Sequence, residues 1–228
     1  MSDRRHIDRQ YDTELDVVRQ RLLLMAGRVE EMIRHGMKAV VSGDSELARN
    51  TVLMDRSVNR AEREIDELCL LVLARRHPMA SDLRFVTLAL KMVTDLERIG
   101  DLAVNLCERA IDLAGRPAII PTSDLERLGT LVQAMVRDAI DAFVQGDAEK
   151  ASAVIERDDP VDELYHQVFR AVLATMVMSP GAIEPGIHLQ SVAKVLERIG
   201  DHATNLAEEV IFLVRGKDVR HEGKLSDE

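Results

Sequence analysis

Apolar residues return along this chain at intervals of three and four. Leu96, Ile99, Ala103, Leu106, Ala110 and Leu113 keep a 3-4-3-4-3 spacing, and Met54, Val58, Ala61, Ile65, Leu68 and Val72 alternate in the same way. That spacing gathers apolar side chains into one stripe of a helix with 3.6 residues per turn. Gly and Pro interrupt the stripes and divide the chain into six helical stretches, at about 12–42, 45–76, 82–114, 124–145, 147–178 and 188–215. A 30-residue helix is about 45 Å long, so an elongated bundle is expected. Gly115-Arg116-Pro117 ends the third stretch. Thr122 or Ser123 should cap the fourth, with Glu126 completing a capping box.

The pattern is written twice. Leu96-Glu97-Arg98-Ile99-Gly100-Asp101 recurs as Leu196-Glu197-Arg198-Ile199-Gly200-Asp201, and Ala103, Asn105, Leu106 and Glu108 recur as Ala203, Asn205, Leu206 and Glu208. Ten of thirteen positions agree across a separation of 100. Upstream, Gly43-Asp44 matches Gly146-Asp147, Asp55 matches Asp158 and Val58 matches Val161. The three-residue change in offset is expected to be absorbed in loops, between Pro78 and Leu90 and between Pro180 and Ser191. A repeat fixes architecture. The fold class expected is all-α, six long helices as two pseudo-symmetric three-helix bundles: residues 1–115 with an N-terminal extension, a linker at 116–123, residues 124–216, and a polar tail at 217–228.

Composition narrows this further. Of 228 residues, 46% are hydrophobic and only 3% aromatic, with no Trp and ten Met, which favours an aliphatic helix-on-helix core over a β-sandwich. The N-terminus MSDRRHIDRQYDTELD is charged where a signal peptide needs an apolar run, and no later stretch is apolar over ~18 residues. A cytoplasmic protein with no direct membrane insertion is expected. A net charge of -10 opposes attraction to phosphate backbones, so no nucleic-acid partner is expected, and the short runs Arg4-Arg5-His6 and Arg75-Arg76-His77 read as solvated charge. Cys69 and Cys107 fall inside apolar patterns without a CxxC, as buried free thiols do.

The repeated segment also carries acids. Glu97, Asp101, Asn105 and Glu108 are spaced i, i+4, i+8, i+11 and share a helix face, as do Glu197, Asp201, Asn205 and Glu208. Like charges at i, i+4 cost a few tenths of a kcal/mol, and a cation is the simplest compensation. The second stretch offers Asp55, Asn59, Glu62 and Asp66 beside its apolar stripe; its counterpart keeps Asp158 and Asp162, but Tyr165 and Phe169 stand opposite Glu62 and Asp66. Oxygen donors without Cys or paired His suit Mg, Mn, Ca, ferric iron or carboxylate-bound Zn. The plainer reading is solvated acids paired with Arg98 and Arg198. Gly100 and Gly200, inside helices, imply close approach of a neighbouring helix or of an ion.

Catalytic patterns are thin. A di-iron oxidase needs two Glu-x-x-His pairs, and only Glu163–His166 occurs, its first-repeat counterparts Arg60 and Arg63 being basic. No phosphate-cradling Gly-rich loop, nucleophile elbow or HExxH is present. His35, His77, His188, His202 and His221 are scattered, and His202 points about 100° away from Asp201 around the helix. No enzyme is expected.

The stretch PMASDLR, followed by LALKMVTDLERIGDLAVN and KVLERIGDHATNLAEE, resembles the PhoU family, whose hallmark is a duplicated E(D)xxxD motif. The resemblance covers about residues 14–215. It implies a negative regulator of phosphate uptake and phosphate-starvation signalling, one that contacts a phosphate ABC transporter ATPase subunit and a PhoR-type sensor histidine kinase, and a homodimer. It favours iron or zinc at the motifs, with Glu97, Asp101, Glu197 and Asp201 as ligands and Asp55, Asn59, Glu62, Asp158 and Asp162 as partners from the second helices. A metal-free acidic adaptor for another phosphate transporter is the alternative reading, and a carboxylate-bridged di-metal enzyme ranks third. The copies differ where Val195 replaces Asp95 and where SPGAIEPGIH replaces the ASDLR pattern.

Overall fold

A computed structural model describes residues 2–76, 78 and 80–216, with side chains described for 11–75, 78 and 81–216. The side chains of Arg4, Arg5, His6, Arg76, His77 and His221, and the tail 217–228, lie outside the described residues. Eight α-helices make up most of the described chain: α1 (Ser2–Ser42), α2 (Ser45–Val52), α3 (Asp55–Arg76), α4 (Ala80–Leu113), α5 (Ser123–Gln145), α6 (Ala148–Ile155), α7 (Asp158–Met178) and α8 (Ile183–Arg215), with a non-helical linker over 114–122.

Two of the six expected stretches are broken. The 45–76 stretch divides at Leu53-Met54, where the Met54 N–H bonds back to Thr51 O at 2.9 Å, and 147–178 divides at Glu156-Arg157, where the Arg157 N–H bonds to Val154 O at 3.0 Å. Neither turn contains Gly or Pro, and the apolar spacing runs through both, so the pattern conceals them. Each turn starts the next helix on an acid, Asp55 or Asp158. The expected loops are also mostly helical: α4 begins at Ala80 and α8 at Ile183 after a short turn over Pro180–Ala182. Pro185 falls in the first turn of α8, where a missing N–H costs nothing. The capping box does not form. Thr122 makes no side-chain cap hydrogen bond, and its hydroxyl instead donates to Glu126 Oε1 at 2.6 Å.

The repeated Gly-Asp pairs explain the tight turns that follow α1 and α5. Gly43 and Gly146 take φ of +68° and +63°, which other residues resist, and end the helix. Asp44 Oδ1 then accepts from the Leu47 N–H at 2.9 Å, and Asp147 Oδ1 from the Glu149 and Lys150 N–H groups at 3.0 Å, capping α2 and α6.

Helices α1, α3 and α4 form one three-helix bundle and α5, α7 and α8 the other, with α2 packed on α1 and α4, and α6 on α5 and α8. The bundles share one core, in which Leu22, Met32, Ile65, Leu96 and Ile99 of the first repeat join Leu128, Val132, Leu196 and Leu206 of the second. Helices α4 and α8 run antiparallel along the seam between repeats. Polar pairs cross it at Lys91–Glu209 (2.8 Å), Asp95–Asn205 (3.4 Å), Asp112–His188 (3.4 Å) and Arg116–Glu184 (2.8 Å), and in each pair the residue numbers add to 300. Combined with the repeat offset of 100, that register sets Gly100 level with Gly200 and relates the bundles by a local two-fold axis.

Candidate metal centre

Each motif lies where a long helix meets the helix that begins on the repeated acid, Asp55 or Asp158, α4 on α3 and α8 on α7. Close packing there depends on the motif glycines. A Cβ on Gly100 would stand 3.2 Å from Val58 Cγ1, and one on Gly200 would stand 3.3 Å from Val161 Cγ1. Of the two sequence readings, the geometry therefore supports helix approach.

In the first repeat Asp55, Asn59, Glu62, Asp66, Glu97 and Asp101 are all half-buried along this seam. Asn59 Nδ2 donates to Asp55 Oδ2 at 2.8 Å, which leaves Asp55 Oδ1 and Asn59 Oδ1 buried without a hydrogen-bond partner. Desolvation, then repulsion from Asp101, raises the pKa of both Asp55 and Glu97; Glu62 is raised by desolvation and by Asp66. Arg98 is a loose partner, 3.6 Å from Glu97 and 3.7 Å from Asp101, with its own side chain largely in solvent. These acids share a neighbourhood and a charge surplus that Arg98 only loosely offsets. Asn105 and Glu108 sit one and two turns on, exposed, with Arg109 3.6 Å from Glu108.

The second repeat is built differently. Glu197 is half-buried, and Lys194 Nζ reaches both its oxygens at 2.7 Å while lying 5.4 Å from the centroid of the Tyr165 ring. Asp158 is half-buried and accepts a 3.4 Å hydrogen bond from Thr204, whereas Asp162 and Asp201 are exposed. Desolvation, then repulsion from Glu197 and Asp158, against the opposing pull of Lys194, pushes the Asp201 pKa up to about 6. Solvent moderates all of these effects at an exposed side chain. Asn205 turns to Asp95 across the repeat seam rather than toward Asp201, and Glu208 is half-buried beside it on α8.

Among the described residues no three Asp, Glu, His or Cys side chains converge closely enough to hold a metal ion. The donors are adjacent but not drawn together. The unsatisfied Asp55 and Asn59 oxygens and the raised carboxylates of the first repeat nonetheless fit a hard cation, which prefers oxygen donors. In the second repeat an ammonium already stands at Glu197.

His202 does contact a carboxylate, but one from the other repeat. Its Nδ1 lies 2.8 Å from Asp95 Oδ1, and because a carboxylate only accepts, Nδ1 carries the proton. Sequence comparison noted Asp95 against Val195 without finding this role, since the pair lies on different helices more than 100 residues apart. Lys194 was legible in principle: Thr94 stands at its place in the first repeat, three residues before the motif Glu.

The PhoU domain profile matches this chain twice, over residues 22–110 and 125–210. The chain belongs to the PhoU family. It is 44% identical over 220 residues to the phosphate-specific transport system accessory protein PhoU homolog of Pseudomonas aeruginosa, spanning 96% of this chain and 90% of that one. It is 34% identical over 219 residues to the phosphate-specific transport system accessory protein PhoU of Escherichia coli K12, spanning 96% and 91%. The crystal structure of PhoU from Pseudomonas aeruginosa superposes with a TM-score of 0.88 at 41% identity, covering 91% of this chain and all of that one. The phosphate transport system regulatory protein PhoU from Streptococcus pneumoniae superposes with a TM-score of 0.85 at 27% identity, covering 92% and 99%. The all-helical, duplicated architecture is that of the PhoU family.

Proposed function

We propose that this protein is a cytoplasmic negative regulator of phosphate uptake and phosphate-starvation signalling, a homodimer that contacts the ATPase subunit of a phosphate ABC transporter and a PhoR-type sensor histidine kinase. The observation that carries the reading is near full-length similarity to relatives named as accessory proteins of phosphate-specific transport. Protein contact rather than catalysis is its mode of action. Val177 and Met178, 78% and 87% exposed, stand with exposed Leu173, Ile183 and Ile187 around the α7–α8 turn, as a surface that meets other proteins does. Among the described residues no helix is long and apolar enough to cross a membrane.

The motif faces hold cations in this proposal, iron or zinc by resemblance, with Mg, Mn and Ca also suited to the oxygen donors. Glu97, Asp101, Asp55, Asn59 and Glu62 serve the first repeat, and Glu197, Asp201, Asp158 and Asp162 the second. Such an ion supplies positive charge that cancels carboxylate repulsion across the helix seam. Desolvation, and then repulsion from Asp101, raises the Asp55 and Glu97 pKa, and it is the repulsion that the ion would relieve.

The test is genetic and elemental. Deletion of the gene should derepress a phosphate-starvation reporter in high phosphate, and the tagged protein should co-purify with the transporter ATPase. Protein purified without chelator should hold metal that falls in Glu97→Gln/Asp101→Asn. An unchanged reporter on deletion would sink the regulatory reading. Wild type that stays metal-free after incubation with iron, zinc and manganese would sink the metal reading and leave the acidic adaptor.

A further inference from the structure

We propose that Lys194 is a tethered counter-cation of the second motif, competing with metal there and leaving the first repeat as the higher-affinity cation site. The competition half rests on the metal reading above; the tethered-cation half does not.

The two motifs are near-identical as strings, so a difference in ion binding has to come from what surrounds them. At 94 the first repeat has Thr, whose hydroxyl is committed to Leu90 O at 3.1 Å. At 194 the second has Lys, one helical turn before Glu197, with its ammonium at 2.7 Å from each carboxylate oxygen. A bridging ammonium occupies the same oxygens that a metal would need. The seat beneath it is changed to match. Tyr165 stands where the first repeat has Glu62, and its ring face lies 5.4 Å from Nζ, a placement that favours an ammonium where a carboxylate ligand would favour a metal.

Arg98 is not its equivalent in the first repeat. Its nearest approaches, 3.6 and 3.7 Å, are longer than a hydrogen bond, and an Arg follows the motif Glu in both copies, so it cannot distinguish them. Meanwhile Asp55 Oδ1 and Asn59 Oδ1 are buried without a hydrogen bond on the first side, whereas on the second side Glu197 Oε2, also without a hydrogen bond, has the Lys194 ammonium 2.7 Å away. An external cation therefore meets open oxygens in one repeat and a resident charge in the other.

The experiment uses the full chain stripped with chelator and titrated with Mn²⁺, free ion being read by electron paramagnetic resonance. Wild type should show two classes of site, the tighter abolished by Glu97→Gln/Asp101→Asn. Lys194→Met, which keeps the aliphatic stem, should tighten the weaker class by about tenfold and leave the tighter class alone. Equal affinities in wild type, or a Lys194→Met titration that matches wild type, would overturn the competition. A second measurement needs no metal. In chelator, Lys194→Met should lower the melting temperature by about 3 °C, and Glu197→Gln in that background should restore part of it, because the unpaired charge is gone. Thr94→Met with Glu97→Gln should show no such rescue. Absence of rescue at Lys194 overturns the tethered-cation assignment; no Mn²⁺ at either repeat together with rescue overturns the competition and the metal reading while upholding the tether.

Discussion

At neutral pH and without metal, Asp201→Asn should stabilise this protein. The folded-state pKa of Asp201 is about 6 against an ordinary 3.8, so between those values the folded chain keeps a proton that the unfolded chain has released. The stability contributed by this group is present in full below pH 3.8 and is lost as pH rises through about 6. The difference, about 2.2 on the pH scale, converts to ~3 kcal/mol if none of it is screened. Asp201 is exposed, so screening brings the figure to about 1 kcal/mol, or ~2–4 °C in melting temperature for a chain of this size. Asparagine removes the charge while keeping shape, and should recover that amount at pH 7.5. Far-UV circular dichroism melts at pH 4 and 7.5, in chelator and low salt, make the comparison. The gain should be present at pH 7.5 and shrink toward zero at pH 4. An Asp201→Asn protein that melts below wild type at pH 7.5, or one whose gain is the same at both pH values, would refute the argument from desolvation and repulsion.

The other predictions concern packing and the seam between repeats. Gly100→Val should cost about 1–3 kcal/mol, since even a Cβ meets Val58 at 3.2 Å, and urea denaturation would show it as a lower midpoint. Asp95→Ala and His202→Ala should each lower stability by about 1 kcal/mol, with a double mutant short of the sum, because they share one 2.8 Å contact between repeats. Additive losses in that cycle would place the stability elsewhere along the seam. Ile65→Ala, at a fully buried position, should cost about 2–5 kcal/mol in the same assay while leaving Mn²⁺ affinity at the acidic seam near wild type.

Much of the fold was legible because helices declare themselves locally. A 3-4 apolar spacing is a property of consecutive residues, and a second copy of the pattern means a second copy of the unit that buries it. Hence Leu96, Ile99, Ala103 and Leu106, with Leu196, Ile199, Ala203 and Leu206, are buried as their spacing required. The Gly-Asp pairs foretold turns for the same reason, each acting on its own N–H groups and φ. What the pattern concealed was local geometry that leaves periodicity intact: the breaks at Leu53-Met54 and Glu156-Arg157 shift the chain without an interrupting Gly or Pro.

The candidate site divides along the same line. That Glu97 and Asp101, or Glu197 and Asp201, share a helix face follows from 3.6 residues per turn and is settled by the string alone. Which oxygens are left buried and unsatisfied, that Asn205 and His202 serve Asp95 across the seam, and how far each motif is desolvated are facts about neighbours brought close from distant parts of the chain. Burial and Coulomb interactions depend on distance in space, and sequence separation carries no measure of it. Two nearly identical strings thus become two unlike sites, one facing Asp55 and Glu62, the other facing Tyr165 with an ammonium already in place.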